Sequence, residues 1–208
     1  MKRPVTLILV VALTIPLAGC GGSNATGGYG GATPEAAFQN FTSAMKGKDY
    51  KTAFGQTTPE TQETLIAGLA LFAPIMAAMD PEKGAGKVQD FQKILDKHAV
   101  KTTLDPTKID PSQGPKAALK EIAGNVKDKP ACVGEIFTWM DSNASNGAKT
   151  PSGGVENIGS ATLAEVKIEG DTATGTLKTS KGEKPATFKK IGGLWFLEIN
   201  DLVPGWPG

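Results

Sequence analysis

Besides its carboxylates, lysines and aliphatic hydroxyls, this 208-residue chain carries five side chains suited to covalent or acid–base chemistry: Cys20, Cys132, His98, Tyr29 and Tyr50. A nucleophilic thiol needs a basic partner that lowers its pKa. The sequence names none for Cys132, so a small buried core residue is expected there. His98 follows Val88, Phe91, Ile94 and Leu95 at helical spacing, which predicts a packed or capping imidazole rather than a general base. Metal sites need clustered His, Cys or carboxylate ligands. Asp105, Asp110 and Asp128 are separated by prolines and a helical stretch, so no metal ligand set is expected. The glycine-rich stretches lack the lysine and the strand–turn–helix setting of a phosphate loop. Lys189-Lys190 reads as a solvated strand and turn. No catalytic residue, cofactor or metal is therefore expected.

Cys20 has a different setting. Lys2 and Arg3 precede an apolar run from Val5 to Leu17, broken only by Thr6, Thr14 and Pro16. This is the layout of a secretory signal. The run falls short of the roughly 20 apolar residues that span a bilayer. Leu17-Ala18-Gly19-Cys20 resembles a bacterial lipobox, in which the cysteine thiol is lipidated and becomes the mature N-terminus. That resemblance implies an exported protein anchored by lipid to the cell membrane or outer membrane, facing the periplasm or the exterior. Gly21 after Cys20 is not the aspartate of inner-membrane retention, which favours the outer membrane where there is one. The expected organisation is a signal over 1–19, the lipidated Cys20 with a flexible Gly-rich tether over 20–32, one domain over 33–200 and a flexible tail over 201–208. A Gly/Ser coil as long as the tether has an end-to-end distance of roughly 20 Å. Removing Lys2 and Arg3 takes the 22 bases to 20 against 21 acids, a formal charge of about −1. Arg3 is the only arginine, so every base of the mature chain is lysine. Guanidinium recognition of guanine or phosphate is then absent, and no nucleic-acid partner is expected. With Cys20 lipidated, Cys132 has no internal disulfide partner.

The elements follow from capping signals and period. Thr33-Pro34-Glu35 opens a helix with Ala37, Phe38, Phe41, Ala44 and Met45 on one face, stopped by Gly47. Asp49 caps a short helix bearing Tyr50, Ala53 and Phe54, and Thr58-Pro59-Glu60 opens a third. Leu65 to Met79 is apolar nearly all round and is expected to be buried, to form a flap or dimer face, or to touch lipid, with a kink at Pro74. Residues 80–87 read as a loop. Helices are expected over Val88–His98, around Ala118–Val126 and around Ile136–Met140. A short strand is expected at Ala99–Leu104, irregular chain over 105–115, and a loop over 142–154. The period then changes to two. Ala164, Val166 and Ile168 alternate with Glu165, Lys167 and Glu169, and Gly170-Asp171 signals a hairpin. Ala173, Gly175 and Leu177 share a face. Turns at Gly182 and Gly192-Gly193 flank Ala186–Ile191. The run Leu194–Ile199 is apolar on nearly both faces and is expected at the centre of the sheet.

The expected fold is therefore α+β: N-terminal helices on an antiparallel sheet of about four C-terminal strands, with extra helices inserted in the middle. Two stretches carry a resemblance. Thr33-Pro34-Glu35-Ala36-Ala37 with Phe41 and Lys48–Phe54, at one end, and Asp171–Thr174, Phe188-Lys189-Lys190, Gly193 and Leu194–Leu197, at the other, resemble small bacterial lipoproteins of the nuclear-transport-factor-2-like superfamily. The resemblance implies a curved sheet wrapped around helices with a conical pocket, lined by Phe38, Phe41, Tyr50, Phe54 and Trp195. Relatives of that fold include ketosteroid isomerase and dehydratases, which aim a carboxylate base and an oxyanion donor into the pocket. Here Tyr29 lies in the tether, Tyr50 is placed like a packing residue, and Glu165, Glu169 and Asp171 alternate onto the solvent face or a turn. The expected function is a lipid-anchored, non-catalytic envelope protein that binds a small apolar ligand or a partner protein. The alternatives are an isomerase- or hydrolase-like enzyme and a structural docking module.

Overall fold

The computed structural model describes residues 28–78, 84–102, 115–143 and 160–199. Six helices precede a four-stranded antiparallel sheet: α1 Pro34–Lys46, α2 Tyr50–Gly55, α3 Pro59–Ala78, α4 Gly84–Lys97, α5 Pro115–Ala123 and α6 Lys129–Asn143, then β1 Thr162–Glu169, β2 Thr172–Thr179, β3 Gly182–Ile191 and β4 Leu194–Glu198. The fold class is α+β. The expected signal, Cys20 and the tether as far as residue 27, the 105–114 stretch, the 144–154 loop and the tail lie outside the described residues.

The capping chemistry is where the residue types put it. Thr33 Oγ1 accepts from Ala36 N at 3.2 Å, and Asp49 Oδ1 accepts from Thr52 N at 3.1 Å. Thr58 Oγ1 accepts from Thr61 N at 3.1 Å. Each bond satisfies one of the orphan donors of a helix start. The helix α1 buries Ala37, Phe38, Phe41 and Met45 and packs against both end strands, β1 and β4. The helix α2 packs along α6, and α3 packs against α4, α5 and α6. Leu65, Ile66, Ala67, Leu69 and Ala70 of α3 are buried, whereas Leu71 is 51% exposed. The helix runs unbroken past Pro74 to Ala78.

Gly47 caps α1 as its residue type predicts, and one local motif closes both α1 and α4. Gly47 has φ −79° and remains right-handed, while Lys48 takes the left-handed conformation at φ 57°. Asp49 N then donates to Ala44 O and Lys48 N to Met45 O, the two bonds of a Schellman cap. The same pair recurs after α4, where Val100 N donates to Leu95 O and Ala99 N to Asp96 O, with Ala99 at φ 57°. Ala99 and Val100 thus close a helix instead of starting a strand. Lys101 N donates to Ile122 O at 3.0 Å, which ties this segment to the end of α5. At its other end α4 begins at Gly84, inside the expected loop. Glycine weakens a helix by about 1 kcal/mol relative to alanine but does not forbid it.

The sheet order is β1-β2-β3-β4, joined by tight turns at Gly170-Asp171, Ser180-Lys181 and Gly192-Gly193. Ala173 and Leu177 of β2, Ala186 and Phe188 of β3, and Trp195, Leu197 and Ile199 at β4 are buried on the face that the helices cover. In β1 the simple alternation fails. Ala164 pairs with Thr176 and Lys167 with Thr174, so Glu165 and Val166 together oppose Gly175. This bulge makes Leu163, Val166 and Ile168 share the register of the core side, in place of Ala164, Val166 and Ile168.

The strand β4 is the last in the sheet, not a central one. Its apolar run nonetheless marks a backbone bonded on both sides. Gly31 bridges Trp195, with bonds of 2.9 and 2.8 Å in the two directions. Leu197 N donates to Gln56 O, Thr58 N to Leu197 O, and Ile199 N to Thr61 Oγ1. The cover comes from the chain ahead of α1 and from the α2–α3 junction.

Ala99 carries the strain of a left-handed backbone without the freedom of glycine. Ala99→Gly is expected to raise stability by about 1 kcal/mol, read as a higher midpoint in thermal unfolding. An unchanged or lower midpoint would show that this conformation is not strained.

Candidate functional site

The five side chains expected to line a pocket are all buried. Phe41 and Phe54 have 0% exposure, so no space that water can enter adjoins either ring. The rings of Phe41 and Phe54 meet edge to face, with centroids 6.3 Å apart and planes at 78°. Phe137 of α6 extends the run, 4.6 Å from Phe54 and 5.6 Å from Tyr50. Phe38 and Trp195 belong to the same core. The Lys190 ammonium stands 5.8 Å from the Trp195 ring, within cation–π range. The structure thus joins Phe41, Tyr50 and Phe54 through a residue that sequence reasoning assigned only to a helix.

The aromatic run ends in an acid–donor set. Tyr50 Oη donates to Asp141 Oδ2 at 2.5 Å, and Lys48 Nζ donates to the same oxygen at 3.0 Å. The left-handed turn at Lys48 brings the ammonium there. Asp141 was missed in the sequence. It lies four residues beyond Phe137 on α6, so the two share a helix face, and that spacing was the available signal. The carboxylate already accepts from two donors, so the set pins the α1–α2 turn to the end of α6.

A second set joins α4 to α6. Glu135 Oε2 lies 2.8 Å from His98 Nε2, and Lys97 Nζ donates to both carboxylate oxygens at 2.9 and 2.7 Å. Burial pushes the Glu135 carboxyl up, but the hydrogen bonds from Lys97 and His98 outweigh it and hold the group below the ordinary glutamate range. His98, with its side chain 12% exposed, holds two helices together. Cys132 lies one turn before Glu135 and is fully buried. Burial, then the nearby charges of Glu135 and Asp128, push its thiol up to about 12. A thiol in that state is not a nucleophile near neutral pH.

The end of the expected tether is part of the fold. Tyr29 packs on Gly55, where an added Cβ would lie 1.9 Å from the tyrosine Cδ1. Gly30 N donates to Gln56 Oε1 at 3.0 Å, and Gly31 pairs with Trp195. Beside the phenol, Lys51 Nζ donates to Asp128 Oδ2 at 2.9 Å, and Asp128 Oδ1 accepts from Ala131 N at the start of α6. The Tyr29 hydroxyl is pushed up by burial, and Lys51 partly offsets this. A lone aromatic within a glycine-rich stretch was the signal for this docking.

Among the described residues no cluster of three or more His, Cys, Asp or Glu could hold a metal ion. No helix among them is long and apolar enough to cross a membrane. Comparison of the chain with protein-family models, with curated proteins and with solved structures gives no match.

Two outcomes test this geometry. Gly55→Ala is expected to expel the Tyr29 ring and release the segment through Gly31. Hydrogen exchange at the Trp195 amide should then rise about tenfold or more; unchanged exchange would mean that Tyr29 does not hold the segment. In a full chain carrying Cys20→Ser, Cys132 should react with iodoacetamide about a thousandfold more slowly at pH 8 than an ordinary thiol. A rate near that of a free thiol would revive a thiol mechanism.

Proposed function

We propose that this chain is a lipid-anchored protein of the cell envelope, held through Cys20, that acts by docking a partner protein. The observation that carries the reading is the enclosed aromatic centre: Phe41 and Phe54 have no accessible surface, and Tyr50, Phe54 and Phe137 pack on one another. A carrier of a small apolar ligand needs open space beside such rings. An acid–base enzyme of the isomerase type needs an unsatisfied acid and donor aimed at substrate. Here Tyr50 and Lys48 both donate to Asp141, and the Cys132 thiol sits at about 12. These facts favour docking over the other two classes. Leu71, 51% exposed directly after the buried Leu69 and Ala70, supports a contact with another protein.

The anchor rests on the basic start, the apolar run and Leu17-Ala18-Gly19-Cys20. Helices followed by an antiparallel meander are in keeping with the resemblance to the nuclear-transport-factor-2-like superfamily. We place the chain at the membrane surface, with its last tether residues already bound to the domain.

Cys20→Ser is expected to release the protein from the membrane fraction or to block its processing. A mutant that fractionates with lipid as the wild type does would sink the anchor. Docking is tested separately, by titrating the full chain in detergent with an apolar fluorescent probe while reading tryptophan emission. No saturable change is expected. Saturable one-to-one binding would replace docking by a ligand-carrying function.

A further inference from the structure

Among the described residues nothing pairs with the outer edge of β1, whereas the outer edge of β4 is covered. Ile168 of β1 is 56% exposed, and Glu165, Lys167 and Glu169 are exposed. An uncovered strand edge invites another strand. We propose that Glu165 guards this edge against pairing with the same edge of a second copy of the chain.

Glu165 and Val166 together oppose Gly175, and Glu165 takes φ 55°. This is the bulge geometry whose first residue is ordinarily glycine. The partner strand is shaped to receive it. A Cβ at Gly175 would lie 2.8 Å from Leu163 Cδ1, 3.2 Å from Ala164 O and 3.4 Å from Val166 Cγ2, so glycine leaves the room that two opposing residues require. Glu165 turns toward the outer face, where Thr176 Oγ1 donates to its Oε2 at 3.4 Å.

Glu165 is also the one residue whose removal leaves every other assignment in place. Without it, Leu163, Val166 and Ile168 fall on the core side and Ala164, Lys167 and Glu169 on the other, with the present β2 partners kept. The shortened strand is self-complementary in antiparallel pairing about Val166. Leu163 then meets Ile168, Ala164 meets Lys167, Thr162 meets Glu169, and no like charges face each other. With Glu165 present, the same two-fold pairing sets its carboxylate against Val166, and the bulge breaks the backbone ladder at the middle of the strand. A second copy therefore finds two short, misaligned pieces.

The test compares the full chain in detergent with and without deletion of Glu165, by sedimentation equilibrium across a wide concentration range. The deletion is expected to double the mass of the wild-type particle and to slow amide exchange along β1. A folded deletion variant with the wild-type mass and wild-type exchange at β1 would overturn the proposal. Glu165→Gly decides the matter should the deletion fail to fold. It keeps the inserted residue and the left-handed backbone, so it should keep the wild-type mass. Association of this variant would overturn the bulge as the guard.

Discussion

The backbone of β4 must be bonded on both sides, and much of the structure serves that requirement. The strand carries Trp195, Leu197 and Ile199 into the core, which removes its amides from water. An unpaired buried amide or carbonyl costs about 1–3 kcal/mol. One side is met by β3. The other is met by Gly31, by the α2–α3 junction at Gln56 and Thr58, and by the Thr61 hydroxyl. That junction is organised to present these groups. Thr57 Oγ1 donates to Phe54 O, and Gln62 Nε2 donates to both Phe54 O and Thr57 O. Residues that read as plain threonines and glutamines are thus the seat of the last strand.

Side chains suited to acid–base chemistry hold helices together. Lys48, Tyr50 and Asp141 join the α1–α2 turn to α6; Lys51 and Asp128 join α2 to its start; Lys97, His98 and Glu135 join α4 to its middle. Ion pairs of lysine at the surface are individually worth little. The pairs on Asp141 and Glu135 are better placed, because each carboxylate is partly withdrawn from water and accepts more than one hydrogen bond. All converge on α6, the helix that also supplies Phe137 to the aromatic centre.

Three positions contradict local preference: Lys48, Ala99 and Glu165 all take a left-handed backbone without being glycine. Two close helices and the third makes a bulge. In the first case Gly47 stops the helix, as its residue type predicts, and the left-handed turn falls on the residue after it. The conformation of each residue is chosen by the bonds it allows. At Lys48 those are the Schellman pair and the reach of its ammonium to Asp141, and the second depends on where α6 lies.

The sequence by itself determined the class of the fold, the helix starts at Thr33, Asp49 and Thr58, the hairpin turns and the shared face of Ala173 and Leu177 in β2. These follow from interactions within a few residues: a cap, a turn, or a period that matches one face to the core. Tertiary structure alone decided that β4 is terminal yet covered, that Tyr29 to Gly31 belong to the domain, and that Glu165 is an inserted residue. It alone brought Asp141 to Tyr50 and Glu135 to His98. Each of these joins positions far apart in the chain, through hydrogen bonds and close contacts whose partners no local pattern names. Apolarity reports that a segment is buried; what buries it is settled by how the elements pack.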